Sequence, residues 1–301
     1  MKICEKAPSI TVLIEEKAST TTTIAGTSTS LSCAARCPSV KHYIYISSSS
    51  IVKGAPFSLL TEEAATLIEA NSHHDPYTAA KSTADAMVLA ANHPPQLRTA
   101  VLRPCGITGE GDTQVIPALL DGLKMGMARI QLGNGASKFD FVYAGNVADA
   151  CVCCAEAMAR EELSEKQNVL PAPPKVGGEA FFITNDEPIK FWGFARLVWR
   201  LAGDHTPSDK IIVVPMWITF FLASVSEWVV WLLSAGTKRP EKFNRSQMEN
   251  CSLDRTFSIE KARKRLLWEP RVGLDEAARR GVEWVSMDRK TNLKRAGENE
   301  I

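Results

Sequence analysis

The run Val40-Lys41-His42-Tyr43-Ile44-Tyr45-Ile46 constrains the fold more than any other stretch. Its β-branched and aromatic residues, with no turn-former among them, read as a strand buried on both faces. Such strands belong to parallel sheets covered by helices. The neighbouring sequence supplies the rest of that unit. Ser47-Ser48-Ser49-Ser50 closes the strand, and Pro76 suits the first turn of a helix that runs to about Asn92 and is stopped by His93-Pro94-Pro95. A second strand, Arg98–Arg103, ends in Pro104 and the loop Gly106-Ile107-Thr108-Gly109-Glu110-Gly111. Strand, helix and strand in this order predict a parallel α/β sheet. Ligands of open α/β sheets bind at the carboxyl ends of the strands, where the serines and the glycine loop fall.

The rhythm continues downstream. A helix is expected near Val115–Met127, short strands at Arg129–Leu132 and Phe139–Val142, and a helix over Asn146–Met158. The Pro-rich segment Pro171-Ala172-Pro173-Pro174 reads as a surface connector. A strand at Ala180–Thr184 and a helix at Ile189–Leu201 come next, and the chain closes with helices at Ser258–Leu267 and Leu274–Val285. Upstream, Ile10–Ile14 could form one strand and Gly26–Arg36 a short helix.

Residues 211–235 are the most apolar stretch, 25 residues carrying one charge, Glu227. That length is enough to span a bilayer. Yet Pro215 lies near its start, and Thr219, Ser224, Ser226, Glu227 and Ser234 fall within one arc when wound as a helix. Trp217, Trp228 and Trp231 are interface-loving side chains. A helix lying in a membrane face fits better than a clean span, with a core or dimer-interface helix as the alternative.

The bulk composition excludes several classes. The 301 residues carry a net charge of +1 and no Lys/Arg run, which argues against a nucleic-acid partner. Eight cysteines are scattered without a Cys-x-x-Cys pair or a histidine cluster, so no metal site is expected, and reduced thiols inside a cell are. Hydrophobic content of 45% and charged content of 23% are those of a globular protein.

Tyr77 and Lys81 stand four residues apart on the helix after the serine strand, and so share a face. A phenol titrates near about 10 in water, and a neighbouring ammonium favours its ionised form. The pair could therefore take a proton from an alcohol or return one to a carbonyl. Tyr-x-x-x-Lys alone arises by chance; a serine cluster before it and a Pro-Gly loop after it make a hydride-transfer site.

With these residues in place the sequence resembles the extended short-chain dehydrogenases, specifically the 3β-hydroxysteroid dehydrogenase and sterol-4α-carboxylate 3-dehydrogenase branch. The resemblance covers roughly residues 25 to 286 and rests on Tyr45-Ile46-Ser47-Ser48-Ser49, Tyr77-Thr78-Ala79-Ala80-Lys81 and Leu102–Gly109. Asp140-Phe141-Val142-Tyr143 with Asn146-Val147-Ala148, Gly178–Asn185, and Arg255-Thr256-Phe257-Ser258 with Lys261-Ala262 extend it. It implies that Tyr77 is the acid/base, Lys81 its partner and ribose ligand, and Ser49 the catalytic serine, with Ser48 as fallback. Pro104 and Ile107 match the segment that passes the nicotinamide of NAD or NADP. The implied substrate is a sterol, steroid or terpenoid alcohol, oxidised with or without loss of a 4-carboxylate. The apolar helix would place the chain on the cytoplasmic face of the endoplasmic reticulum or another intracellular membrane, and a homodimer is open.

The departure lies at the other end. The family's Gly-x-x-Gly-x-x-Gly turn, which seats the pyrophosphate, is missing, and Gly26 is the first glycine of the chain. The expectation is an N-terminally truncated Rossmann-like sheet with a mostly helical C-terminal part for substrate and membrane. Its divisions are an atypical segment 1–24, a partial catalytic domain 25–160, a substrate-binding part 161–287 and a flexible tail 288–301. The serine strand would then become an exposed sheet edge. NAD(P) affinity would be weak or absent, as in a truncated gene model or a degenerate paralogue. Two alternatives follow: a double-bond isomerase using the same acid/base pair, and a cofactor-less binding module.

Overall fold

The computed structural model describes residues 9–13, 20–69, 76–168, 171–233 and 252–298. Strand β2 (Val40–Ile46) lies inside a four-stranded parallel sheet with β1 (Ser9–Leu13), β4 (Arg98–Pro104) and β9 (Glu179–Ile183), in the order β1-β2-β4-β9. The serine strand is therefore not an edge. The β-branched run Ser9–Leu13 takes that place, in parallel register with Val40–Tyr45, so the expected exposed edge moves one strand outward. Helix α1 (Thr20–Arg36) starts before the expected boundary at residue 24 and crosses it.

The period-two alternation of β2 explains why both faces are covered. Tyr43 and Tyr45 pack with Leu31 and Ala34 of α1 and with Ala84 and Val88 of α2 (Pro76–Ala90). Ile44 and Ile46 point the other way, into a core with α4 (Ala144–Gln167). Ala262 and Leu266 of α7 (Glu260–Leu266) close that second layer. Helices on both faces of a parallel sheet make a doubly wound α/β domain. The crossover from β2 through α2 to β4 brings the first turn of α2 to the carboxyl end of β2.

A second sheet, β10-β7-β12-β3, joins distant parts of the chain: β10 (Ile189–Lys190), β7 (Lys138–Phe139), β12 (Arg255–Phe257) and β3 (Phe57–Leu60). Asp140 splits the expected strand Phe139–Val142 into β7 and β8 (Phe141–Tyr143), because its carboxylate turns inward to accept the Phe257 N–H at 2.7 Å. Strand β8 pairs with β5 (Gly106–Thr108). A third core gathers α3 (Val115–Lys124), α5 (Phe191–Leu201) and α8 (Leu274–Glu298) around Phe141 and Phe194, whose rings stack 4.1 Å apart. Helix α8 continues to Glu298, so residues 289–298 of the expected flexible tail are helical.

The apolar stretch is not one helix. Ile212–Val214 forms β11, parallel to β6 (Ile130–Leu132), and only after Pro215 does α6 (Met216–Leu233) begin. Branched side chains favour the strand, and proline is tolerated only before or within the first helical turn. Among the described residues no helix is long and apolar enough to cross a membrane. Helix α6 is turned inside out. Thr219 is buried at 1% exposure, whereas Trp217, Phe221, Trp228 and Leu232 are exposed at 72, 63, 68 and 72%.

Candidate active site

Three chain segments meet at the carboxyl end of β2. After the strand, Ser49–Ile51 forms one turn of 3-10 helix. Ser48 caps this turn: its Oγ accepts the Ser50 N–H at 3.2 Å and donates to the Ser50 hydroxyl at 2.9 Å. Ser49 instead is buried, 9% exposed, and its side chain acts on the Cys105 thiol just beyond Pro104, opposing the rise that burial imposes there. The turn packs against α2.

On α2, Lys81 is 3% exposed and donates from Nζ to the carbonyl of Ile46, the last residue of β2, at 3.1 Å. Its ammonium lies 4.9 Å from the centre of the Tyr45 ring, which adds a cation–π attraction. Tyr77, one turn earlier, opens to solvent at 37% exposure. Pro104 ends buried β4, and Ile107 in β5 is 39% exposed. The sequence-predicted residues Ser49, Tyr77, Lys81, Pro104 and Ile107 are thus spread over four elements, the 3-10 turn, α2, β4 and β5.

Several contributors were not foreseen. Asp85, a turn beyond Lys81, is fully buried and pairs with Arg103 of β4 through two bonds of 2.7 and 2.9 Å. A charge inside an apolar strand is the signal that could have revealed it. Cys105 is buried, and burial, reinforced by the charge of Asp140, pushes its thiol well above the usual range. Burial likewise raises the Asp140 carboxyl to about 7 against the bond from Phe257, with Asp186 adding to the rise. Arg255, whose charge bears on Cys105, comes from β12, far along the chain.

The residues present fit the nicotinamide-ribose end of a dinucleotide. Ser47, at the end of β2, and Thr108, at the end of β5, each leave a buried hydroxyl oxygen without a partner. Tyr77, Lys81, Pro104 and Ile107 stand at the same edge. Nothing among the described residues supplies the glycine turn for the pyrophosphate. A cavity of about 720 Å³ lined by Asn92, Glu161, Glu165, Lys175 and Gly177 contains none of the site residues. It lies near the amino ends of β4 and β9, away from this chemistry.

Comparison with known proteins agrees with this geometry. The family model described as 3-beta hydroxysteroid dehydrogenase/isomerase matches residues 8–214. The sterol-4-alpha-carboxylate 3-dehydrogenase, decarboxylating, of Schizosaccharomyces pombe is 35% identical over 82% of this chain and 67% of its own length. Its Saccharomyces cerevisiae namesake is 38% identical over 70% of this chain and 56% of its own. The chain thus spans between about half and two thirds of these relatives. A UDP-glucose 4-epimerase from Thermotoga maritima superposes with a TM-score of 0.61 at 18% identity, covering 94% of this chain and 77% of that one. A dTDP-glucose 4,6-dehydratase from Bacillus anthracis in complex with NAD gives 0.58 at 18%, covering 93% and 73%. These two share the Rossmann-type fold.

Proposed function

The chain belongs to the 3-beta hydroxysteroid dehydrogenase/isomerase family, and on that premise we propose that it oxidises the 3-hydroxyl of a sterol carrying a 4-carboxylate. The observation that carries this reading is the placement of Tyr77 and Lys81 on the first turns of α2, beside the 3-10 turn that holds Ser49. The bound nicotinamide of NAD or NADP would accept the hydride from the alcohol carbon. Tyr77 takes the hydroxyl proton as general base, and Lys81 stabilises the phenolate. Ser49 donates a hydrogen bond to the same oxygen. The product is a 3-ketone. A carboxylate β to that ketone is then lost as carbon dioxide, the electron pair passing into an enolate that is reprotonated. For the residues present, which include no glycine turn, dinucleotide affinity is expected to be weak.

The exposed face of α6 supports a second part of this reading: the chain lies on an intracellular membrane, with its apolar helix in the interface and a lipophilic substrate within reach. The cytoplasmic face of the endoplasmic reticulum is the proposed location.

The test is turnover of a 4-carboxysterol with NAD or NADP in detergent, alongside calorimetric binding of the dinucleotide. Tyr77→Phe should cut turnover by about 10²–10⁴ while leaving dinucleotide binding intact. Near-normal turnover removes Tyr77 from the mechanism. Absent turnover under conditions where calorimetry shows the dinucleotide bound overturns the dehydrogenase reading in favour of a binding module.

A further inference from the structure

A cavity of about 280 Å³ is lined by Arg196, Arg200, Asp204, Thr206, Ser208 and Ile211. Arg196 and Arg200 are a turn apart on α5, so their guanidinium groups share a face. Arg196 donates to the Gln131 side-chain oxygen at 3.0 Å, and burial together with the charge of Arg200 disfavours its protonated form. Asp204 is the carboxylate on the lining, and Thr206 occupies both of its oxygens, through its N–H at 3.2 Å and its hydroxyl at 2.9 Å. Among the described residues neither arginine is ion-paired. Two neighbouring cations without a counter-ion call for an anion from outside, and the planar guanidinium fork suits phosphate oxygens.

The source of that anion follows from what borders the cavity. Ile211 on its rim leads directly into β11, where Ile212 and Val213 are 64 and 52% exposed, and then into the outward face of α6. Apolar side chains that enter the acyl boundary of a bilayer leave adjacent cations at the level of the phosphates. We propose that Arg196 and Arg200 bind the phosphate of an anionic phospholipid headgroup when the β11–α6 surface sits on a membrane. This rests on the membrane-docking reading above, and it adds a built site for one lipid class to a face that is otherwise only apolar.

Vesicle co-sedimentation of the whole chain tests it, using phosphatidylcholine with and without phosphatidylserine. Binding should be tighter with phosphatidylserine, and Arg200→Gln should weaken that binding about fivefold, with a similar further loss in Arg196→Gln/Arg200→Gln. Binding to pure phosphatidylcholine should not change in either variant. Arg200 is exposed, so the single variant keeps the test valid if the double variant melts early. Lys264→Gln, an equal loss of charge at a 74% exposed site on α7, should have no effect. Equal binding to both vesicles, or an equal loss in Lys264→Gln, overturns the headgroup site. Displacement by inorganic phosphate without any preference for phosphatidylserine assigns the cavity to a soluble anion and also overturns it. Failure to bind either vesicle overturns membrane docking itself.

Discussion

Asp85 and Arg103 lock α2 to β4 through a bidentate ion pair, Nε to Oδ2 at 2.9 Å and Nη2 to Oδ1 at 2.7 Å, with both side chains buried. Removing one partner leaves a buried, uncompensated charge. Asp85→Ala should cost about 3–5 kcal/mol in urea unfolding. A cost below about 1 kcal/mol, the range of exposed pairs, would show that the pair is solvated in solution.

Lys81 has a structural duty beside its proposed one. Lys81→Met keeps the length of the side chain but strips the Ile46 carbonyl of its donor. A loss of about 1–3 kcal/mol in stability is expected, the penalty for an unsatisfied buried acceptor. Calorimetric melting of the variant checks this without reference to activity.

Asp140 makes stability fall as pH rises. Its carboxyl titrates at about 7 in the folded chain against 3.8 as the reference, because burial outweighs the Phe257 bond. The folded state therefore holds the proton more tightly across that window, and its advantage disappears as the pH passes 7. Asp140→Asn keeps an acceptor for Phe257 without the ionisation. The variant should gain on the parent between pH 5 and pH 8 in chemical denaturation; parallel pH profiles would place the carboxyl in water.

Gly281 on α8 is the point of closest approach between the C-terminal helix and the loop after Pro104. A Cβ there would collide with the Ile116 side chain and lie 3.0 Å from the Gly109 carbonyl oxygen. Gly281→Ala should destabilise by about 1–3 kcal/mol despite its better helix propensity. An unchanged or raised melting temperature would mean that α8 shifts freely.

The thiols should separate by burial. Cys33 is exposed, and Ser39 lowers the pKa of the half-buried Cys37, so peptides carrying these two should alkylate first in the native chain. Cys154, raised by full burial, and Cys151, raised to about 11, should alkylate only on unfolding. Peptide mass spectrometry reads the order directly, and early labelling of Cys154 would contradict the α4 packing.

Much of the candidate site was legible because its parts are local. Val40–Ile46 alternates between two cores, Pro76 opens the next helix, and Pro104 ends the following strand, all within about 65 residues of chain. What escaped reading depends on partners far away in sequence. Ser9–Leu13 is an ordinary short strand until its register with β2 is known. Asp140 breaks a strand only because Phe257 needs an acceptor. The apolar run 211–235 lost its first residues to β11, since strand formation there depends on Ile130–Leu132. The ends of the resemblance lay at the limits of sequence reading for the same reason. Residues 234 and 235, and Cys4 and Cys251, fall outside the described residues.

Strand β12 sits between β7 and β3, pairing Arg255 with Phe57 and with Phe139. During synthesis Phe57 leaves the ribosome 198 residues ahead of its partner Arg255, a delay on the order of ten to forty seconds at usual elongation rates. For that interval β3 has no neighbour to pair with, and Phe57 and Phe182 lack the Phe257 ring that later packs against both. The strands of the parallel sheet on which α2 and Lys81 pack are complete by Ile183, although the α7 layer that covers one face of it comes later. The nascent chain therefore has all four strands of the parallel sheet, with α2 and Lys81 between β2 and β4 in sequence, before the partner of β3 and the α7 layer exist.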